Sequence, residues 1–436
     1  MSINPEEWKL RRVQKERQRK EKEAKQRKKL IRIGIALAIA AVGIALVFFV
    51  ISRFTGNEAE QPEVPESTEI ISADSTEQAT EELPEEEDTS GGNTTTIHIV
   101  AGGDVNVTDK IVSSGGYNYD YTNTFMDMAY LFGDADLAMV NLEGNLCGSP
   151  YGSTNRSAPQ GLVEALDRAG VDMVQLANSY SISKGISGLG QTITAVRAAG
   201  MEPLGVYRDS AEFKSGKGFT LYNVGGIEVA VVAFTKGMDG MALPAGSENC
   251  VNLLYTDYES TYQNIDRDGI TKILASVEQE RPDVTIALLH WGSEYNDTIS
   301  PTQESIVELM HENGVDAIIG THPHYVQKMV FDQENGTFVA YSLGDLISDG
   351  ERSGTQYSVL LDLEVTKNLR NGKTKITNFT YTPIYTVAEP DSPIRVVRIN
   401  EAIQGYESYF IGRVNEQTYG DMLYALDRIK ARISGE

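Results

Sequence analysis

Several apolar, β-rich runs of this chain end in a polar side chain that can bind a metal or act in catalysis, and helical patterns separate them. The runs and their last residues are VAGGD with Asp104, AMVNLE with Asn141 and Glu143, VQLAN with Asn178, IALLH with His290, and IIGTHPH with His322 and His324. Ligands of open α/β sheets bind beyond the carboxyl ends of the strands, so we expect these segments to meet in one crevice. The alternation, followed by further β-rich runs, predicts an α/β domain with a mixed sheet.

The residue types at these strand ends indicate a metal site. Carboxylate oxygen and imidazole nitrogen together suit divalent ions such as Mn, Zn or Fe. A lone histidine at a strand end is more often structural, but three of the five histidines of this chain follow such runs. The predicted metal ligands are Asp104, Glu143, His290, His322 and His324. His98 within a strand and His311 on a helix are assigned structural roles.

Hydrophobic periodicity predicts the other elements of this domain. A hairpin over 219–234 would turn at Gly225-Gly226, and Pro301 suits the first turn of a helix. The predicted helices lie near 121–132, 161–169, 188–199, 261–279 and 302–312, and the last 35 residues or so are also helical. Phosphate-binding loops, G-x-S-x-G motifs and Rossmann fingerprints are absent from the sequence.

The N-terminal part predicts a membrane anchor. Residues 33–51 carry no charged side chain, and 19 helical residues span about 28 Å, close to the hydrocarbon thickness of a bilayer. Residues 1–32 contain 13 Lys and Arg against 5 acids, which predicts a cytoplasmic N terminus and an extracellular C-terminal domain. The protein is therefore expected in the cell membrane as a single-pass protein.

Composition marks the segment after this anchor as a spacer. Residues 54–95 contain 13 acids and no Lys or Arg, which is typical of a solvated, disordered linker. The predicted divisions are a basic arm over 1–32, the anchor over 33–53, the linker over 54–94, a folded domain over 95–390 and a helical segment over 391–436. The net charge of −24 makes nucleic acid an unsuitable partner. An oxidising exterior permits a disulfide, and the sequence leaves open whether Cys147 and Cys250 pair.

The motifs GD, NLE and LAN, followed by HWGSEY, HPHYVQ and YSLGD, resemble the CapA family of poly-γ-glutamate capsule synthesis proteins over about residues 96–350. That family is related to the calcineurin-like metallophosphatases. The resemblance implies a four-layer α/β/β/α fold with two mixed sheets and a dinuclear type of metal crevice. It places Asp104, Glu143 and His324 at one metal and His290 and His322 at the other.

The resemblance also implies roles for neighbouring residues. Trp291, Glu294 and Tyr295 correspond to residues of the crevice wall or to residues that support the ligands from behind, and Asn141 would steady the Glu143 loop. The family usually reads Ala-Asn-Asn-His where this chain has Ala177-Asn178-Ser179-Tyr180. The candidate catalytic residues are Tyr180 and Glu294, and the candidate substrate-contacting or ligand-supporting residues are Asn141, Asn178, Ser179, Trp291, Tyr295 and Asp345.

Three functional hypotheses follow. The first is a membrane-anchored, extracellular protein that uses a divalent metal in the biosynthesis or export of an anionic polymer such as poly-γ-glutamate, with a membrane synthase complex as a further partner. The second is a catalytically degenerate module that binds the polymer or the synthase, as the replacement of Asn-His by Ser179-Tyr180 suggests. The third, an unrelated metallophosphoesterase of the 5′-nucleotidase kind, is disfavoured because Asp104-Val105-Asn106 lacks the histidine of an acidic-x-His pair.

Overall fold

The computed structural model describes residues 93–389, 392–408 and 414–435, which belong to one compact unit. The predicted basic arm, the predicted anchor and the linker as far as residue 92 lie outside the described residues. Among the helices that are described, none combines the length and the hydropathy needed to cross a membrane.

The described strands and helices follow one another along the whole domain. The strands are β1 (Thr94–Asn106), β2 (Leu137–Glu143), β3 (Met173–Gln175), β4 (Glu202–Leu204), β5 (Phe219–Val224), β6 (Ile227–Thr235), β7 (Val284–His290), β8 (Ala317–Thr321), β9 (Met329–Asp332), β10 (Thr337–Ala340), β11 (Asp345–Ile347), β12 (Tyr357–Asn368), β13 (Thr374–Val387) and β14 (Arg395–Arg398). The helices are α1 (Asp109–Ser114), α2 (Ala129–Asp134), α3 (Gln160–Ala169), α4 (Gly185–Ala198), α5 (Ser210–Gly216), α6 (Arg267–Glu280), α7 (Pro301–Glu312), α8 (Ile399–Glu407) and α9 (Glu416–Ser434).

These strands form two mixed sheets, which confirms the predicted class of fold. The larger sheet has the order β14-β13-β12-β1-β2-β3-β4, and β11 also pairs with β1. Its strands β1 to β4 are parallel, whereas β12, β13 and β14 join it antiparallel. The smaller sheet has the order β5-β6-β7-β8-β10-β9, with a parallel centre and an antiparallel strand at each edge.

Three apolar layers hold the sheets and helices together. The central layer joins the two sheets face to face, with Ile99 of β1, Val231 of β6 and Leu361 of β12 among its members. The helices α3 and α4 cover the outer face of the larger sheet, and α6 and α7 cover the outer face of the smaller one. Because β2 and β7 are covered on both faces, every one of their residues is buried, including the polar residues at their ends.

Several local predictions are confirmed. The hairpin of β5 and β6 turns at Gly225 and Gly226, which both have positive φ as a tight hairpin turn requires. Helix α7 begins at Pro301, and Ser300 and Gln303 form a reciprocal capping box at its start.

Two predicted helices are wrong at their N-terminal parts. The helix predicted near 121–132 begins only at Ala129, because the Asp120 side chain accepts a hydrogen bond from the Thr122 amide and favours a turn instead. The helix predicted near 261–279 begins at Arg267. The Asp257 carboxylate accepts hydrogen bonds from the Gln263 and Asn264 amides, which holds the preceding segment in a loop.

Candidate metal centre

Strand register brings the polar strand ends together. Asp104 of β1 lies opposite Asn141 of β2 and Asp345 of β11, and His290 of β7 lies opposite Thr321 of β8. Thr321 directly precedes the His322-Pro323-His324 segment. The ends of strands from both sheets therefore meet, as the positions of the polar residues predict.

Two glycines permit the close backbone approach that this arrangement needs. A Cβ atom on Gly103 would lie 1.7 Å from the Gly344 carbonyl oxygen, and one on Gly320 would lie 1.9 Å from the Tyr341 oxygen. Without those side chains, the Asp104 amide donates a hydrogen bond of 3.0 Å to the Gly344 oxygen. Glycine at these positions thus lets β11 and β8 approach their neighbours closely enough to position the acidic and histidine side chains.

The structure sorts six buried side chains into two sets with the spacing of metal ligands. In each set, one possible ligand atom of every residue lies within 4.8 Å of the others. We call the two sets the carboxylate-rich group, which is Asp104, His324 and Asp345, and the histidine-rich group, which is Glu143, His290 and His322. The groups adjoin one another, since His324 Nε2 lies 3.8 Å from Glu143 Oε2.

Hydrogen bonds organise the carboxylate-rich group. His324 Nδ1 lies 2.7 Å from Asp345 Oδ1, and Asp104 accepts hydrogen bonds from Asn141 Nδ2 at 2.6 Å and from the His322 amide at 3.0 Å. Burial raises the pKa of Asp345 to about 7, and it also raises the pKa of Asp104. Burial alone would lower the pKa of His324, but the charges of Asp345 and Glu143 outweigh it and raise this pKa well above its ordinary value.

The histidine-rich group contains one carboxylate and two imidazoles, and neighbouring side chains contact its rings. His290 Nε2 lies 3.4 Å from Glu143 Oε1 and 3.1 Å from Ser179 Oγ, and His290 Nδ1 lies 3.2 Å from Thr321 Oγ1. Burial lowers the pKa of His290 and of His322 well below the ordinary value. Both rings are therefore neutral near pH 7, which is the form that binds metals.

The donor atoms of both groups fit a divalent cation. Glu143 Oε1 and His322 Nδ1 are buried and have no hydrogen-bond partner among the described residues, although nearly all buried polar atoms have one. Burial, and next to it repulsion by the charge of Asp104, raises the pKa of Glu143 well above its ordinary value. A cation between the groups would satisfy the orphaned atoms and offset that repulsion.

The backbone of the His322-Pro323-His324 segment is unusual. His322 has a φ of 95° and His324 has a φ of 59°, in the positive region that side-chain-bearing residues seldom adopt. Tyr295, whose amide donates to the Pro323 oxygen, has a φ of 57°. Such conformations cost about 1–3 kcal/mol each and cluster at functional sites, so the fold holds these side chains in place against local preference.

Two asparagines support the ligands. Asn178 Nδ2 donates to Asn141 Oδ1 at 3.1 Å and to the Leu142 oxygen at 2.7 Å, and Asn178 Oδ1 accepts from the Tyr180 amide. The Asn141 amide nitrogen donates to Asp104 and lies 3.4 Å from His290 Nδ1, so Asn141 contacts residues of both groups. Asn178 holds the backbone next to Glu143.

The candidate catalytic residues lie beside the two groups. Burial, and next to it the charge of Glu143, raises the pKa of Tyr180, so its hydroxyl stays protonated and can donate a hydrogen bond. Glu294 is exposed, and its charge raises the pKa of Glu143 and Tyr180, which places its carboxylate near both. Tyr295 stacks on the His324 ring at a centroid distance of 5.1 Å.

One of the residues expected at the crevice wall or behind the ligands lies in the interior. Trp291 is fully buried in the apolar layer beneath α6 and α7, where its Nε1 donates to the Tyr341 oxygen at 2.9 Å. Neither cysteine forms a disulfide, since the thiols of Cys147 and Cys250 are both free.

Lys236 is a crevice residue that the sequence reasoning missed. It directly follows β6, its Nζ donates to the Gly292 oxygen at 2.8 Å, and the same atom lies 3.4 Å from His322 Nε2. Burial lowers its pKa. The strand-end rule that singled out the other residues applies equally to Lys236, and it would have found this lysine had it been applied to the second strand of the hairpin.

The sequence of this chain is similar to those of bacterial capsule synthesis proteins. The model of the family described as "Bacterial capsule synthesis protein PGA_cap" matches residues 98–350, which is more than half of the chain. Among curated relatives, the capsule biosynthesis protein CapA of Bacillus anthracis is 29% identical over 215 residues, or 49% of this chain and 48% of that protein. The PGA biosynthesis protein CapA of Bacillus subtilis is 25% identical over 206 residues, or 47% of this chain and 50% of that protein. The match thus spans about half the length of these curated relatives.

Solved structures show a more distant likeness. A novel phosphatase of Mycoplasma pneumoniae has a TM-score of 0.41 at 14% identity, covering 67% of this chain and 94% of that one. A calcineurin-like phosphoesterase of Bacillus subtilis has a TM-score of 0.41 at 14% identity, covering 77% and 99%. Likenesses at these scores say nothing about the activity of this chain.

Proposed function

This chain belongs to the bacterial capsule synthesis protein family PGA_cap, and from that membership we propose that it acts in the biosynthesis or export of an anionic surface polymer such as poly-γ-glutamate. The observation that carries the proposal is the pair of adjoining ligand groups, in which six buried side chains have the spacing of metal ligands. A calcineurin-like metallophosphatase type of fold is part of the proposal, supported by two face-to-face mixed sheets with helices on their outer faces.

The carboxylate-rich and histidine-rich groups would each hold one divalent ion. When bound there, such ions supply Lewis acidity toward a carbonyl or phosphoryl oxygen and make a water molecule more nucleophilic. Carboxylate and imidazole ligands are compatible with Mn, Zn or Fe.

Other residues of the chain would orient the ligands and the substrate. Asn141 fixes one oxygen of Asp104, and the backbone amide of His322 fixes the other. The protonated hydroxyl of Tyr180 is suited to donate a hydrogen bond to a substrate oxygen. Glu294, exposed at the crevice mouth, is the candidate for accepting a proton there.

The location of the protein is also a proposal. A single-pass anchor over 33–53 with a cytoplasmic arm would place the folded domain outside the cell, because the positively charged flank of an anchor stays inside. The acidic linker would separate the anchor from the folded domain. A membrane synthase complex is the partner that this placement favours.

Metal content and turnover test the central proposal. The full chain would be purified as wild type, His290→Ala and the control His98→Ala, which removes an exposed histidine of β1 instead. We expect bound divalent metal and metal-dependent cleavage or transfer of poly-γ-glutamate in the wild type and in His98→Ala, and loss of both in His290→Ala. A wild-type protein without divalent metal, whose metal content His290→Ala leaves unchanged, would contradict the catalytic proposal.

A binding module without catalysis is the second candidate, and one observation favours it. Ser179 offers His290 only a hydroxyl at 3.1 Å, where the family pattern has an amide, and Tyr180 replaces the histidine of that pattern. A screen of metal-loaded protein with γ-glutamyl, phosphomonoester and phosphodiester substrates discriminates between the two. Binding of the polymer without turnover of any substrate favours the module, and metal-dependent turnover excludes it.

A further inference from the structure

Two arginines beside the crevice are held over tyrosine rings. The Arg156 guanidinium carbon lies 4.3 Å from the centroid of the Tyr180 ring, and that of Arg352 lies 3.8 Å from the centroid of Tyr295. We call these the two Arg–Tyr pairs. A guanidinium over an aromatic face is attracted by the ring and keeps its N–H edge directed outward in the plane.

Neither Arg156 nor Arg352 has an acidic partner in the part of the chain that the structure describes. Neither forms an ion pair with a carboxylate within residues 93–389, 392–408 and 414–435, although acids outnumber Lys and Arg by 62 to 38 in the whole chain. By contrast, Arg197 is paired with both Glu202 and Glu212. Two unpaired guanidinium groups in so acidic a protein are available to an anionic ligand.

One Arg–Tyr pair lies beside each ligand group. The Tyr295 ring that carries Arg352 also stacks on His324 of the carboxylate-rich group. The pKa of Tyr180, which carries Arg156, is raised by burial and by the charge of Glu143, and the neighbouring Ser179 lies 3.1 Å from His290 Nε2. Both pairs therefore reach the crevice through a tyrosine that contacts or closely approaches the ligand residues.

We propose that Arg156 and Arg352 are carboxylate-binding residues on the two sides of the crevice, and that the ligand carries carboxylates on both sides of the bond at its centre. A guanidinium matches a carboxylate because two parallel N–H groups can bind its two oxygens. A chain of linked glutamates bears one carboxylate per unit and so presents this pattern. The inference rests on the proposed function, since it names the ligand features that the same crevice would recognise.

Binding of two matched peptides tests this. The probes are a pentamer of γ-linked glutamate and a pentamer of γ-linked isoglutamine, which has the same backbone but carries a carboxamide in place of each pendant α-carboxylate. The full chain would be compared by calorimetry as wild type, Arg156→Gln, Arg352→Gln, the double variant and the control Arg168→Gln. Arg168 is an exposed arginine of α3, paired only with Glu164, so this control removes the same charge away from the crevice.

We expect each crevice variant to weaken binding of the glutamate pentamer by about five- to tenfold, as for loss of one partly exposed charge-assisted contact. The double variant should weaken it by roughly the product, and Arg168→Gln should match the wild type. Arg352→Lys keeps the charge without the planar fork, so it should fall between the wild type and Arg352→Gln. Unchanged melting temperatures would exclude misfolding as the cause.

The outcomes separate this inference from the proposed function. Equal binding of the two pentamers, no binding to the wild type, or full binding by the double variant overturns the inference, even if metal-dependent turnover is found. Conversely, loss of binding in the double variant of a protein that takes up no divalent metal when metal is supplied supports the carboxylate-binding role and contradicts the catalytic proposal. Each measurement is therefore made on metal-free and on metal-loaded protein.

Discussion

The two ligand groups lie side by side but differ in the charges and the hydrogen-bonding partners of their buried side chains. The carboxylate-rich group has two acids and a histidine whose pKa they raise, and hydrogen bonds connect its members to Asn141 and to the His322 amide. The histidine-rich group has two neutral rings and the orphaned atoms Glu143 Oε1 and His322 Nδ1. Among the described residues, the first group has no orphaned buried atom of this kind, whereas the second has two that a cation would satisfy.

This difference predicts an order of metal affinity. Two carboxylates attract a dication more strongly than one, and hydrogen bonds that already orient ligands lower the cost of binding. We therefore expect the carboxylate-rich group to fill first when metal is added to metal-free protein. The changes that follow are ranked from the largest expected effect to the smallest.

Replacing Glu143, which adjoins both groups, should have the largest effect. Glu143→Gln removes a ligand charge from the histidine-rich group and a neighbour of His324, so we expect turnover to fall by about 1000-fold or more. In metal-free protein the same change removes a buried carboxylate that Asp104 also repels, so it should raise the free energy of unfolding by about 1 kcal/mol. Chemical denaturation with and without metal checks both signs. A metal-free variant less stable than the wild type would show that repulsion does not dominate at this position.

Asp345→Asn tests the carboxylate-rich group alone. The amide keeps the shape of the side chain but loses one charge and weakens the 2.7 Å contact with His324. We expect the affinity for the first ion to fall by about 10- to 100-fold and the second affinity to change little. Competition with a chelator of known affinity measures both steps. An equal loss at both steps would mean that the two groups form one site.

Ser179→Asn tests the histidine-rich group in the opposite direction. An amide oxygen is a better metal ligand than a hydroxyl, and Ser179 Oγ already lies 3.1 Å from His290 Nε2. We expect the second ion to bind about tenfold more tightly and the first to be unaffected. Ser181→Asn is unsuitable as a control, because the Ser181 hydroxyl donates to the Leu176 and Asn178 oxygens. Ser187→Asn is used instead, since Ser187 is an exposed residue of α4. If neither variant bound the second ion more tightly than the wild type, Ser179 would lie outside the metal site.

The sequence predicts the location of the centre better than the orientation of individual side chains. The strand-end rule finds Asp104, Glu143 and the histidines because parallel strands must present their carboxyl ends at one edge. The rule alone does not tell which way the next residue points. The two-residue alternation along β7 does, because Ala287, Leu289 and Trp291 lie in the same apolar layer, so Trp291 belongs to that layer rather than to the crevice. Backbone values such as the φ of His322 depend on long-range contacts and leave no local signal.

Helix boundaries show the same limit. The segment 121–128 has apolar residues at helical spacing, and Tyr121, Phe125 and Met128 are indeed buried. The backbone that carries these residues forms turns rather than a helix. Tyr121 packs against Gly115, and its hydroxyl donates to the Val112 oxygen. A pattern of burial therefore predicts which residues face the core more safely than it predicts the backbone that carries them.

The smallest effect concerns the strained backbone at the two groups. The φ of 59° at His324 is that of the ordinary left-handed region, whereas the φ of 95° at His322 lies outside it, so the strain is greater in the histidine-rich group. His322→Gly and His322→Ala both remove the imidazole and keep the amide that donates to Asp104, but only glycine accepts this φ without strain.

In metal-free protein we expect His322→Gly to be more stable than His322→Ala by about 1 kcal/mol, because the strain relieved exceeds the added entropy of the unfolded glycine chain. The corresponding pair at His324 should differ by less. At His290, which ends a regular strand, the order should reverse, since glycine weakens a strand. Denaturation of the six variants measures all three differences. If alanine proved the more stable residue at 322, the bond angles and contacts around it, rather than its φ, would have to account for how this loop holds the imidazole against the crevice.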